Sequence, residues 1–103
     1  MSVSALDPLT VVAVFRARPG HEVTLGAALR AMLLPTREEA GCLNYDLHQV
    51  SDDPGLFFFH ETWESVDHHR AHLDTPHVRR LLAVSPDMLL EPIRELKGTR
   101  IEA

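Results

Sequence analysis

The stretch Leu56-Phe57-Phe58-Phe59-His60-Glu61-Thr62-Trp63 carries large apolar residues at both odd and even positions. Aromatic residues at this density favour extended backbone. Strand side chains alternate between two faces, so Phe57, Phe59 and Trp63 point one way and Leu56 and Phe58 the other. Both faces of such a strand need cover. Helices of the same chain can cover one face. An apolar second face left open would be a sticky patch, so two copies are expected to press their sheets together as a homodimer.

The neighbouring segments supply the rest of the sheet. Ser51-Asp52-Asp53-Pro54-Gly55 is turn composition, and Cys42–Val50 before it alternates weakly. Leu43, Tyr45 and Leu47 fall on one side there, and Asn44, Asp46 and His48 on the other. The two strands flank one short turn and form a β-hairpin. Thr10–Arg18 is β-branched and apolar and ends at Pro19-Gly20, which predicts another strand. Its run from Val11 to Phe15 lacks polar alternation and predicts burial on both faces.

Between the first strand and the hairpin the period changes. Leu25, Leu29, Met32 and Leu33 recur at helical spacing, with a kink or short break expected at Pro35 and a stop at Gly41. Ser65 can cap a short helix to Leu73. Thr75-Pro76 starts another, with Val78, Leu81, Leu82, Ala83 and Val84 as a broad apolar side until Ser85-Pro86. Pro92–Ile101 is the last extended segment. The order is βαββαβ, an α+β ferredoxin-like layout with helices on one face of a four-stranded antiparallel sheet. The length of 103 residues fits one core. The expected division is a flexible N-terminal leader at residues 1–9 and a single α+β domain at 10–103.

Charge and composition narrow the function. A net charge of −5 opposes a phosphate-binding surface, so no nucleic-acid partner is expected. No apolar run is long enough to span a bilayer, and the first residues lack the pattern of a secretory signal. Cys42 is the single cysteine, which excludes an internal disulfide. It reads as a small buried hydrophobe rather than a nucleophile. A cytoplasmic protein that does not engage membranes is the expectation. No glycine-rich strand-to-helix turn and no Gly-x-Ser-x-Gly elbow occur, so neither a dinucleotide fold nor a hydrolase elbow is encoded.

The histidines are the chemical signal. There are seven, and five fall between His60 and His77. Glu64, His68 and His72 would share a helix face, a spacing that could hold a metal, but ordinary surface residues produce the same pattern and no metal is expected. Acid–base chemistry in an apolar pocket remains. The hairpin offers Tyr45, His48, Glu61 and Trp63, and the downstream helices offer His69, His72 and His77. A histidine facing a cavity between helices and sheet could take a proton from a phenol or enol near neutral pH.

Four segments together resemble the antibiotic biosynthesis monooxygenase domain, above all its small quinol-monooxygenase-like members. They are Glu39-Ala-Gly-Cys-Leu-Asn-Tyr-Asp-Leu-His48, Asp53-Pro54, Phe59-His-Glu-Thr-Trp-Glu-Ser65 and Ala71-His-Leu-Asp-Thr-Pro-His77. The resemblance runs over about residues 10–101. It implies a dimeric α/β barrel and, for many members, oxygenation of a quinol, naphthol or polyketide-like phenol by O2 without metal, flavin or haem. Carried onto this chain, its motif positions are Tyr45, His48, Glu61, Trp63, His72 and His77. His72 is then the proton acceptor, with Tyr45 or His48 orienting the hydroxyl. Trp63 forms a pocket wall, Glu61 fixes a neighbour, and His77 stands with the substrate-binding set. Tyr45 and His48 share one cavity only if a bulge lies between them. Haem-degrading relatives carry an Asn on the first strand, which is absent here. Two rival functions use the same fold. One is an enolising enzyme or isomerase, and the other a non-catalytic dimer that binds a small metabolite.

Overall fold

The computed structural model describes residues 7–102. The leader expected at residues 1–9 lies outside the described residues for its first six positions. The elements run β1 (Leu9–Arg16), α1 (Glu22–Arg30), α2 (Leu33–Arg37), β2 (Cys42–Val50), β3 (Asp53–Trp63), α3 (Val66–His72), α4 (Pro76–Val84), a 3-10 turn (Ser85–Asp87) and β4 (Arg94–Gly98). The sheet order is β2-β3-β1-β4 and each pair is antiparallel, the ferredoxin-like arrangement.

Strand pairing sets the two faces. Val11 pairs with Glu61, Ala13 with Phe59 and Phe15 with Phe57, and this set is buried beneath the helices. Val12, Val14, Phe58 and Leu96 belong to the alternate set on the outer face. In the single chain β1 is therefore buried on one face, and its outer residues Val12 and Val14 are only half-buried. The apolar run predicted two covered faces, and one chain covers one.

The core joins Leu25 and Leu29 of α1 and Val78 and Leu81 of α4 to Phe15, Phe57, Phe59 and Trp63 of the sheet. The first helical stretch breaks at Ala31–Met32, ahead of the proline. Pro35 is the third residue of α2, where a backbone N–H would lack an intrahelical partner in any case, so the ring costs no helical hydrogen bond and the short break falls upstream of it. Gly41, at φ +81, turns the chain from α2 into β2, and its carbonyl accepts a 2.8 Å hydrogen bond from the Glu64 amide. In α4 only Val78 and Leu81 are buried. Leu82 and Val84 are largely exposed, so the broad apolar side is narrower than its composition suggests. The last strand is also shorter than its extended segment, because only Arg94–Gly98 finds β1 to pair with.

Candidate active site

β2 reaches the site through a bulge. Cys42 pairs with Trp63 and Asn44 with Thr62, so Leu43 is the extra residue and is pushed into solvent. Beyond the bulge Tyr45 pairs with Glu61 and Leu47 with Phe59, which turns the Tyr45 ring under the helices. It stacks on Phe59 at 4.5 Å between ring centroids. No register shift separates Tyr45 from His48. His48 accordingly lies on the outer face, its ring stacked on Phe58. Parity alone separates it from the group around His72.

α3 supplies the imidazoles. Ser65 accepts from the His68 amide and sets the first turn. His69 and His72, three residues apart, then both face inward and are buried. His68 turns the other way, with Nδ1 2.7 Å from Ser65 Oγ and Nε2 3.9 Å from Glu64. Glu64, His68 and His72 thus do not converge, although they stand at the right spacing. At the start of α4, the Thr75 hydroxyl accepts from the Val78 amide and donates to the His72 carbonyl. That double contact fixes His77 next to His72.

The residue that organises these rings is Glu39, in the loop after α2. Its Oε2 accepts from His72 Nδ1 at 2.8 Å and from His77 Nε2 at 2.6 Å. The ring partner therefore assigns the His72 proton to Nδ1 and leaves Nε2 with a free lone pair. Burial lowers the His72 pKa below its ordinary value, and Glu39 only partly opposes this. His72 is thus neutral at pH 7 and able to accept a proton. Trp63 packs on it at 4.7 Å, and the indole Nε1–H donates to Glu61 Oε1 at 2.9 Å. The Glu61 carboxyl is pushed up to about 7 by burial, against the indole hydrogen bond. Burial also raises the Tyr45 phenol, which stays protonated and can donate. The same cause pushes the Cys42 thiol up to about 11, so it carries no thiolate near neutrality.

A cavity of roughly 80 Å³ lies between the layers, lined by Tyr45, Phe59, Glu61, His69, His72, Leu73, Leu82, Ile93 and Glu95, among others. Of the six positions singled out in the sequence, Tyr45, Glu61 and His72 reach it. Trp63 and His77 stand behind His72, and His48 is on the far face. Sequence reasoning gave no role to Glu39 or Glu95. Thirty-three residues separate Glu39 from His72, and no local spacing links them. Glu95 enters only through the pairing of β4 with Ala13. The cavity is smaller than the ~300 Å³ at which drug-sized ligands begin to fit. Leu82 and Ile93 also line an outer groove of about 400 Å³. These two side chains stand between the outer groove and the inner cavity.

As donor atoms for a metal, Glu39, His72 and His77 converge within 4.8 Å, a carboxylate with two imidazoles. Each imidazole N–H is already committed to the one carboxylate oxygen, so an ion would have to displace both hydrogen bonds.

A ferredoxin-like sheet with a cluster of ionisable side chains between its layers defines a small α+β protein of the ferredoxin-like class. The sequence profile described as antibiotic biosynthesis monooxygenase matches residues 8–84, and the chain belongs to that family. It is 37% identical over 90 residues to the Mycobacterium tuberculosis protein named "Putative monooxygenase Rv0793", an alignment covering 84% of this chain and 85% of that one. It is 36% identical over 100 residues to the Escherichia coli protein named "Probable quinol monooxygenase YgiN", covering 86% and 96%. Among solved structures, PA3566 from Pseudomonas aeruginosa superposes with a TM-score of 0.89 at 35% identity, covering 97% of this chain and 100% of that one. The structure of Rv0793 gives 0.88 at 31% identity, covering 94% and 98%. Among the described residues no helix is long and apolar enough to cross a membrane.

Proposed function

We propose that the protein is a monooxygenase of a small electron-rich phenol or quinol, with His72 as the base that starts the reaction. The observation that carries this reading is the Glu39–His72 hydrogen bond beside the cavity: a buried neutral imidazole whose Nδ1–H is held by a carboxylate, leaving Nε2 to accept a proton. The relatives named as monooxygenases agree with it. The substrate does the hard part. Once His72 takes the hydroxyl proton, the phenolate can pass an electron to O2, and the radical pair recombines at a ring carbon. One oxygen atom stays on the ring as a quinone carbonyl. The other leaves as water, with its two hydrogens and all four electrons drawn from the substrate. The chain's own contribution is the proton acceptor, the Tyr45 hydroxyl as a donor to the ring oxygen, and apolar walls that keep water out. Glu61 holds Trp63, and Trp63 with Glu39 holds the His72 ring.

In this reading the working form is a homodimer. It is joined through the sheet face that carries Val12, Val14, Phe58 and Leu96, with the helices and cavity of each copy facing outward.

The test is oxygen uptake by metal-stripped protein with a panel of phenols and quinols, under air and under argon. Turnover requires O2, and His72→Ala lowers kcat by about 10²-fold or more, the usual contribution of a general base. Glu39→Gln removes an influence that raises the His72 pKa, so residual activity extends to lower pH while kcat falls. Proton exchange under argon without oxygen uptake would identify an enolising enzyme instead. Binding with neither would leave a metabolite-binding protein. Uptake restored only by added divalent metal would move the chemistry to Glu39, His72 and His77.

A further inference from the structure

We infer that His69 is a second substrate contact, which selects rings bearing a second oxygen across from the one that meets His72. The inference rests on the reading of the cavity as the substrate site, and it names a group that this reading leaves unused. His69 lies three residues before His72 on α3 and lines the same cavity, with ring centroids 6.0 Å apart. Its side chain is 4% exposed, and its Nε2 is buried with no hydrogen-bond partner among the described residues. Native proteins satisfy nearly all such atoms, so one left over beside a cavity marks a place for a ligand atom.

The surroundings give the chemistry of that atom. The nearest charge is Glu95 Oε2, 3.9 Å from Nε2 and beyond hydrogen-bond reach, while Glu95 Oε1 is engaged by Lys97 at 3.4 Å. A hydroxyl placed between them can donate to the Glu95 carboxylate and accept from a His69 Nε2–H, or donate to an unprotonated His69 Nε2. Burial lowers the His69 pKa despite Glu95, so the ring is neutral near pH 7 and presents an acceptor or a donor as its tautomer requires. Leu73, Val78, Leu81 and Ile93 also line the cavity and offer nothing polar. A ring with a methyl group in place of the second hydroxyl would bury Nε2 without a partner. A ring with two hydroxyls would satisfy both ends.

Hydroquinone and 4-methylphenol are the probes, because they differ in one hydroxyl and hardly in shape. Calorimetry under argon measures binding without turnover. Wild-type protein is expected to prefer hydroquinone by about tenfold or more, as sites with a buried polar partner do. His69→Asn, too short to reach, should bring the two affinities within about threefold, and His69→Gln, which places an amide near the Nε2 position, should restore the preference. In the wild-type protein, hydroquinone but not 4-methylphenol should shift the 15N resonance of His69 Nε2. Equal weakening of both ligands in His69→Asn would mean a structural role and would overturn the assignment. So would an unchanged preference, an unmoved resonance, or wild-type protein that binds neither probe. Hydroquinone bound through His69 with no oxygen uptake would sink the monooxygenase reading and leave this contact standing.

Discussion

At the residue scale, the buried ionisable groups make opposing contributions to stability. Glu61 keeps its proton up to about pH 7 in the folded protein, whereas an ordinary glutamate releases it near 4.5. Between those values the folded state binds the extra proton, so the Glu61 contribution to stability falls as pH rises and is fully lost above about pH 7. The ceiling on that loss is about 3 kcal/mol, because each tenfold difference in proton affinity between the folded and unfolded chain is worth about 1.36 kcal/mol. His69 and His72 have the opposite sign. Their folded pKa values lie below 6.5, so the unfolded chain takes up protons first and stability falls as pH drops through that region. Glu61→Gln keeps an acceptor for the Trp63 indole and removes only the charge. Its urea-unfolding midpoint should exceed the wild type's at about pH 8, and the advantage should shrink towards about pH 5. An advantage that stays constant with pH would show that Glu61 is ionised throughout.

At the scale of elements, strands and helix starts were legible because their signals are local. Ser65 and Thr75-Pro76 announce α3 and α4, and the structure shows both caps made. The aromatic alternation of residues 56–63 announces β3 and both of its faces. What local reading missed was set by pairing between distant segments. The bulge at Leu43 follows from how β2 meets Trp63 and Thr62, and it reverses the side expected for Leu43. Glu39 joins the site because Gly41 bends the chain back beneath α3. The bend has little slack: a Cβ on Gly41 would collide with the His68 ring, at a φ of +81 that other residues rarely adopt. Gly41→Ala should therefore destabilise by about 1–3 kcal/mol, more than the usual glycine effect. It should also lower activity beyond what the lost stability explains, since Glu39 moves with the loop. Thermal unfolding together with turnover well below the midpoint would check this. A variant of wild-type stability would show that the loop opens freely.

At the scale of the whole molecule, the question is what covers the outer sheet face. Val12, Val14 and Phe58 stand adjacent across β1 and β3, with Val14 paired to Phe58 and Val12 to Leu96 of β4. Leu96 is 52% exposed, and the other three are half-buried only by one another and their strand neighbours. Polar groups ring this centre: Thr10, Arg16, His60 and Thr62 on the same parity, with Asp46 and His48 on β2. Arg94, the β4 partner of Val14, adds an exposed cation to this rim, whereas Arg16 is tied to Asp53 and Glu91. An apolar centre with a polar rim is the anatomy of a protein interface, and antiparallel sheets pack face to face at about 10 Å. In the proposed homodimer, a two-fold axis near the Val14–Phe58 pair would set this patch against its own copy. Sedimentation should find a species of twice the 11.6 kDa chain mass. Phe58→Glu places a charge at the centre of the patch without touching the buried core, since Phe58 and Phe59 point to opposite faces. It should yield folded monomer with an unchanged helical circular-dichroism signal. The cavity belongs to one chain, so the monomer should still bind a phenol, with affinity reduced only as far as the sheet loosens. Wild-type protein that sediments as a monomer at tens of micromolar would remove the dimer and leave the sheet face for another partner.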